Sequence, residues 1–475
     1  MKEVKLALSY DDVLLVPKRT PLNSRSEADV KTLWTKNIFL NIPLVSSNMA
    51  TVTEHKMAIA MAREGGLGVI HQFGTIEEQV REIKKVKRST SYVIENPLSI
   101  DISATIKEAV EKMKEEGVTS LLVKNEETLV GIFTSKDYLF EEDWDINITG
   151  VMTPKERLIT AQYGISMEEA KRILHKNRIE KLPLLENGIV KGLITTKDIK
   201  RKDLWPNACR DSKGRLRVGA AIGIRDSLER AKALIEVGVD VLVLDVAHAH
   251  SDTVIQCLKE LKSNLTIDVM VGNIATAEAA SDLIEAGADG LKVGIGPSPV
   301  CSTRVVSGAG IPQLTAIQDV ARVAKEYGVP VSADGGMKFP GDVVKAIAAG
   351  ASTAFSGSFF AGTNEAPGMI VVKEGKRYKQ YMGSASYESS HLRNEIKNGK
   401  KFEKRLDTFV EGVSNLVDFK GPVSRIINGL IRGIKSGISY CGAHNIKEMQ
   451  EKAEFVRITS AGWKESNTRG MKLSE

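Results

Sequence analysis

A short apolar run, a glycine-containing turn and an amphipathic helix recur along residues 216–365, and this alternation constrains the fold more than any other feature of the chain. The runs lie at 218–222, 241–244, 268–272, 290–294, 329–333 and 351–355, with helices expected at 227–237, 275–286, 316–326 and 340–349. Strands that are apolar almost throughout belong in a parallel sheet covered on both faces. The N-terminal part continues the pattern, with strands expected at 41–46 and 67–70 and a helix at 54–64. Together these make about eight β/α units, the number that closes a (β/α)8 TIM barrel. A doubly wound sheet would place G-x-G-x-x-G after its first strand, and the sequence has none there.

Residues 92–202 interrupt the barrel with a different grammar, repeated twice. The first copy, about 92–145, holds a helix at 109–116 and strands at 118–123 and 129–137. The second, about 146–202, holds a helix at 170–177 and strands at 179–184 and 189–198. Gly131 matches Gly192, Thr134 matches Thr195 and Asp137 matches Asp198, all at one offset of 61 residues. The insertion resembles a tandem pair of CBS modules. That resemblance implies an adenine or guanine nucleotide whose ribose meets Thr134/Asp137 and Thr195/Asp198. The same residue types also cap helices, so a purely structural role is equally open.

Composition narrows the setting. The four cysteines, Cys209, Cys257, Cys301 and Cys441, are scattered without paired spacing. This argues for a reduced, cytoplasmic protein and against a disulfide framework or a zinc site. No apolar run reaches membrane length, so no membrane partner is expected. The net charge of +6 is small for 475 residues, and the basic stretch 397–405 has no aromatic ladder, which speaks against nucleic acid.

In a (β/α)8 barrel the chemistry sits on loops at the C-terminal strand ends. Here those ends are Ser46-Ser-Asn-Met49, Asp245-Val-Ala-His248, Gly272-Asn273, the loop Gly294-Ile-Gly-Pro-Ser-Pro-Val-Cys301-Ser-Thr-Arg304, Asp334-Gly-Gly336 and Gly357-Ser358. Cys301 on a Gly/Pro-rich loop has the setting of a thiolate nucleophile. Asp334-Gly-Gly336 and Ser356-Gly-Ser358 offer glycine amides and a hydroxyl where barrels hold phosphate. Asp334, which would repel phosphate, suits ribose hydroxyls.

The ensemble resembles the IMP dehydrogenase/GMP reductase family nearly end to end, from Ser9-Tyr-Asp-Asp-Val-Leu-Leu-Val-Pro17 through the Cys301 loop to Lys452-Ala-Glu-Phe-Val-Arg-Ile458. The resemblance implies a purine nucleotide reaction at C2 through a covalent Cys301 thioimidate, with hydride passing between C2 and a nicotinamide. It implies Ser47 and Met49 beside the base, with Asp334, Gly336, Gly357, Ser358 and Tyr381 on ribose and phosphate. Asp245, Asn273, Gly294 and Gly296 would face the cofactor, and the carbonyls of Gly296, Ser298 and Cys301 would hold a monovalent cation such as K+. A barrel of residues 1–91 and 203–475, with a flap at about 383–420, and a homotetramer are further expectations.

The family runs in two directions, and the resemblance favours GMP reductase (GMP and NADPH to IMP, ammonia and NADP) over IMP dehydrogenase (IMP, NAD and water to XMP and NADH). The dehydrogenases' water-activating Arg-Tyr pair is replaced by Lys400-Lys401, and lysine is a poor base unless desolvated. Thr303 and Glu411 match the reductase pair that activates the leaving amine, and Asn48 is reductase-like. The CBS insertion and the C-terminal sequence lean towards the dehydrogenase. A catalytically reduced nucleotide sensor is the third alternative. Pro299 stands where the family has a phosphate-binding serine, and Tyr381-Met-Gly-Ser384 is shorter than the usual loop.

Overall fold

A computed structural model of the chain describes residues 4–89, 93–95, 97–196, 199, 205–384 and 412–466. The chain folds into two compact units, one of residues 1–89, 207–211 and 216–475, the other of 90–206 and 212–215.

The first unit is a closed parallel barrel of eight strands. They are β1 (Leu44–Ser46), β2 (Leu67–Ile70), β3 (Gly219–Ile222), β4 (Val241–Asp245), β5 (Asp268–Ile274), β6 (Gly290–Val293), β7 (Val331–Asp334) and β8 (Thr353–Ser356). Barrel order follows chain order, with β8 paired to β1 and β2 to β3. The surrounding helices are α1 (His55–Glu64), α2 (Ile76–Arg88), α3 (Ser227–Glu236), α4 (Asp252–Asn264), α5 (Ala277–Glu285), α6 (Gln313–Glu326), α7 (Pro340–Ala348) and α8 (Val423–Tyr440), the last packed against α7 and α1. The barrel expected from the apolar runs is therefore present.

In the barrel the strands expected from 329 and 351 start two residues later and the one expected from 41 starts three later, at Leu44; in the insertion those expected from 118 and 179 also start two later, at Ser120 and Lys181. The amides of Val329 and Ala351 donate to Ala324 and Ala346 carbonyls, at 3.0 and 3.1 Å. These residues close the preceding helices after Gly328 and Gly350, both at positive φ, before the strands begin.

The N-terminal end of the barrel is plugged. Strands Thr32–Leu33 and Phe39–Leu40 pair there and bury Trp34, Ile38 and Leu40 against Val45, Val69, Val243, Met270 and Phe355. Asp268 at the start of β5 pins the connecting turn, accepting from Thr35 Oγ1 at 2.5 Å and Asn37 N at 3.0 Å. With that end filled by apolar side chains, open space remains at the C-terminal rim. There the register aligns Ser46 with Ser356, Asp245 with Gly272, and Asp334 with Phe355.

The second unit repeats itself at the 61-residue offset in more than its sequence. Strands Ser120–Asn125 and Thr128–Thr134 correspond to Lys181–Glu186 and Ile189–Thr195. Each first strand carries an irregularity at the matching place, Val123/Lys124 and Leu184/Leu185. Capping boxes at Thr105/Glu108 and Ser166/Glu169 start the two helices, Ile106–Glu115 and Met167–Asn177. Each copy has its own core, Ala109, Met113, Leu121, Val123 and Phe133 answering to Ala170, Leu174, Leu182, Leu184 and Ile194. The segment leading into each copy pairs with the last strand of the other: Ile94–Glu95 with Ile189–Thr195, and Thr153–Pro154 with Thr128–Thr134.

Candidate active site

A cavity of about 630 Å3 opens at the C-terminal rim of the barrel. That is the scale of a small-molecule site, roughly 300–1,000 Å3. Its wall includes Ser47, Met49, Asp245, Asn273, Gly294, Gly296, Ser298, Cys301, Thr303, Asp334, Gly357, Ser358 and Tyr381, all singled out from the sequence. Gly336 lies in the same turn as the wall residue Gly335. Thr134, Asp137 and Thr195 belong to the second unit. Glu411, Asp198, Lys400 and Lys401 lie outside the described residues, as does most of the 383–420 stretch.

Cys301 sits on the loop after β6, half-buried, while the other three cysteines are buried and none is in a disulfide. Its Sγ lies 3.1 Å from Thr303 Oγ1. The loop is held from two sides. Cys301 N–H donates to Ser298 O at 3.0 Å, and Val413 N–H donates to Val300 O at 3.0 Å, leaving Cys301 bridged to Gly412. Gly383 is bound on this strip through Val413 O, and a Cβ there would lie 2.5 Å from Val300 O, so only glycine lets the backbones meet. Arg304 is fixed by the carbonyls of Ile295, at 3.0 Å, and Ile311, at 2.6 Å. Burial lowers its pKa, opposed in smaller measure by the electrostatic effect of Cys301.

Across the cavity, β4, β5, β6 and β7 converge on one polar cluster. Lys292 Nζ, 2% exposed, bonds Asp245 Oδ1 at 2.8 Å, Asp334 Oδ2 at 3.1 Å, and Asn273 Oδ1. Asn273 Nδ2 donates to Asp334 Oδ2 at 2.9 Å and to Gly294 O at 2.7 Å. Asn48 Nδ2 holds the other oxygen of Asp245 at 2.9 Å, and Gln72 donates to the Asp245 carbonyl. Burial pulls the lysine pKa down, but Asp245 and Asp334 outweigh it, so the ammonium stays charged. Two carboxylates against one ammonium leave the cluster one negative charge.

Another part of the wall includes Gly335, Gly357, Ser358, Ser298 and Tyr381. A Cβ on Gly357 would lie 2.6 Å from both Met49 Sδ and Tyr381 Oη. Tyr381 is 2% exposed; burial pushes its pKa up, and a hydrogen bond with the Ser298 side chain pulls against that rise. A hydroxyl thus stands beside the glycine turns even though position 299 is proline. Lys420 supports the Gly357-Ser358 turn from behind, donating to the carbonyls of Ser358, at 2.6 Å, and Phe359.

Residues 7–469 match the IMP dehydrogenase / GMP reductase domain. The chain belongs to that family. Members of the family are nicotinamide-dependent purine nucleotide oxidoreductases. The chain is 47% identical to inosine-5'-monophosphate dehydrogenase of Nitrosopumilus maritimus, over 99% of this chain and 100% of that one. It is also 47% identical to GMP reductase of Leishmania donovani, over 97% and 96%. The structure of GMP reductase from Trypanosoma brucei in complex with guanosine 5'-monophosphate matches with a TM-score of 0.92 at 42% identity, covering 99% of each chain. Overall identity therefore does not separate the family's two reactions, and particular residues must.

Sequence reading overlooked the role of Lys292, the Ser298 hydroxyl, and the contacts of Asn48 and Gln72 with Asp245. The one available signal was a lysine inside the apolar run Gly290-Leu-Lys-Val293, all four of whose residues are buried.

Proposed function

We propose that the chain is a GMP reductase, converting GMP and NADPH to IMP, ammonia and NADP. The observation that carries the chemistry is the half-buried Cys301 thiol, with the Thr303 hydroxyl at 3.1 Å, in the wall of a cavity lined by phosphate-type glycine turns and a carboxylate. The direction rests on sequence: Lys400-Lys401 stands where a dehydrogenase has its water-activating pair, and a reductase has no hydrolytic step to lose.

In this mechanism Sγ of Cys301 bonds to C2 of guanine and the C2–N2 bond breaks. The thiol proton passes to the departing amine, which leaves as ammonia. On this reading Thr303 relays that proton, with Glu411 as the partner that the family resemblance implies. The reduced nicotinamide supplies the hydride that then enters at C2, and the C2–S electron pair returns to Cys301. Asp334 accepts from the ribose, while Gly336, Gly357, Ser358, Tyr381 and Ser298 hold the phosphate. Asp245, Asn273, Gly294 and Gly296 face the nicotinamide. The cluster's single negative charge suits a ring that becomes cationic on losing hydride. The loop carbonyls of Gly296, Ser298 and Cys301 are neutral oxygen donors of the kind that suit K+.

The inserted unit is read as a CBS pair for an adenine or guanine nucleotide, supported by its exact repeat offset and by the matched cores of its two copies. A homotetramer in the cytoplasm goes with the same reading; among the described residues no helix is long and apolar enough to cross a membrane. IMP dehydrogenase is the second reading, favoured by the CBS-like insertion and by the C-terminal sequence around Lys452–Ile458.

One assay separates them. With GMP and NADPH, loss of nicotinamide absorbance with release of ammonia is expected. NADH formation with XMP, from IMP and NAD, would sink the reductase. Silence in both directions with nucleotide binding intact would mean a sensor.

A further inference from the structure

We infer that Lys292 is a positioning residue that joins the nucleotide and cofactor halves of the cavity by holding Asp245 and Asp334 in one ion cluster. The inference rests on the purine nucleotide oxidoreductase reading of the cavity. A charged side chain inside a barrel strand is costly unless it is paired. The barrel nonetheless makes room for it: Gly272, its register partner on β5, has a Cβ position only 2.6 Å from Lys292 Cβ. The aliphatic stem lies in the core, and the ammonium stands 5.3 Å from the centre of the Phe355 ring.

All three ammonium donors are spent, on Asp245, Asn273 and Asp334. That leaves Lys292 no free donor with which to act as an acid towards substrate. Its effect must pass through its partners. Among the described residues both bonds to the Asp334 side chain fall on Oδ2, so Oδ1 remains for a nucleotide hydroxyl. Asp245 is held on both oxygens, by Lys292 and Asn48, and faces the other half of the cavity. One cation thus fixes a carboxylate for each ligand.

The titratable groups facing the cluster are Asp245 from β4, Lys292 from β6 and Asp334 from β7. Asn48, Asn273 and Phe355 close the other sides. Tyr10 senses the charges of Asp342 and Asp334, and Tyr381 also senses that of Asp334. Without the ammonium, two half-buried carboxylates would share this space with no cation between them, which favours uptake of a proton by one of them.

The test compares the wild type with Lys292→Met, Lys292→Arg and the charge-paired double variant Lys292→Met/Asp245→Asn. Turnover of GMP with NADPH and calorimetric binding of GMP are followed across about pH 5 to 9. For Lys292→Met, turnover and GMP affinity should fall about 100-fold near pH 7 and recover towards alkaline pH, a limb the wild type lacks. Lys292→Arg keeps the charge and should show no new limb. The double variant should also lack it, since only one carboxylate remains. A folded Lys292→Met whose turnover and binding profiles run parallel to wild type overturns the inference. Should Lys292→Met not fold, the same alkaline-recovering limb in Lys292→Arg or in the double variant overturns it. Wild-type protein that binds GMP but turns over neither GMP with NADPH nor IMP with NAD sinks the functional reading, and the binding profiles then decide Lys292. Wild-type protein that binds no GMP overturns both.

Discussion

Asp334 of the barrel and Asp137 of the inserted unit are both aspartates at or just beyond a strand end, and they are held in opposite ways. Asp334 Oδ2 is bound by Asn273 and Lys292, residues 61 and 42 positions away on other strands, and among the described residues Oδ1 is left over. Asp137 turns back on its own loop, where its Oδ2 accepts from the Thr134 amide at 2.6 Å, and Thr134 Oγ1 accepts from Lys136 N at 3.3 Å. A carboxylate fixed from a distance keeps its direction while offering an oxygen to a ligand. A carboxylate fixed by its own turn is engaged in building that turn. The barrel rim thus spends tertiary structure to free polar atoms, whereas the first copy of the insertion spends polar atoms on local structure.

The strongest test of that contrast is at Cys301. Cys301→Ala should remove turnover by at least about four orders of magnitude while leaving GMP affinity within a few-fold of wild type. The thiol supplies the covalent step, whereas the cluster and glycine turns that grip the nucleotide do not touch it. Steady-state assay with calorimetry of the same preparation checks both halves. Surviving activity would overturn the covalent mechanism.

A smaller effect separates the two units by pH. Tyr10 and Tyr381 are buried in the barrel unit; burial, followed by Asp342 and Asp334 for Tyr10, and burial for Tyr381, push both pKa values up. Above about pH 10 an unfolded tyrosine releases its proton while these two retain theirs. The native state then binds more protons than the unfolded state, so stability falls as pH rises, by about 1.4 kcal/mol per pH unit for each group. Lys292, also raised, adds a loss of the same sign once its unfolded value is passed. Thermal unfolding followed from about pH 9 to 11 should show the barrel transition moving down. With Tyr10→Phe the slope should be shallower; an unchanged slope would remove Tyr10 from the account.

What the sequence could and could not show follows the same division between local and distant partners. The barrel was legible because each strand is a short run of apolar residues with its own turn and helix signals. The starts at 331 and 353 were not, since the amides of Val329 and Ala351 go to helix carbonyls that no strand pattern reveals. The rim residues were legible by position, each lying at or just after the C-terminal end of a strand. Lys292 was not, because a lysine among apolar residues reads as a side chain reaching for water. Its true partners, Asp245 and Asp334, stand 47 and 42 residues away and meet it only when the barrel closes. Ser298 was legible only as a backbone carbonyl; the part its hydroxyl plays was not, because its link to Tyr381 crosses from one loop to another. The insertion showed the reverse, since its repeat offset was visible in three residues and extends to caps, strand irregularities and cores.

The smallest expected effect lies in the insertion, at Asp137→Ala. If the carboxylate serves only its own turn, the variant loses one local hydrogen bond, about 1 kcal/mol of the inserted unit's stability. Turnover at the barrel should be unchanged, because Cys301, Asp334 and Lys292 lie in the other unit. If it also meets a nucleotide ribose, as the CBS resemblance implies, calorimetric titration with ATP and GTP should detect at least one binding event in wild type that the variant weakens about tenfold, the cost of one charge-assisted hydrogen bond. Thr134→Val sharpens the choice, since it removes the hydroxyl but keeps the amide that Asp137 accepts from. Loss of nucleotide affinity in both variants would place ligand recognition at this turn. Loss of stability in Asp137→Ala alone, with titrations matching wild type, would leave Asp137 as a turn residue and extend the contrast with Asp334 to function.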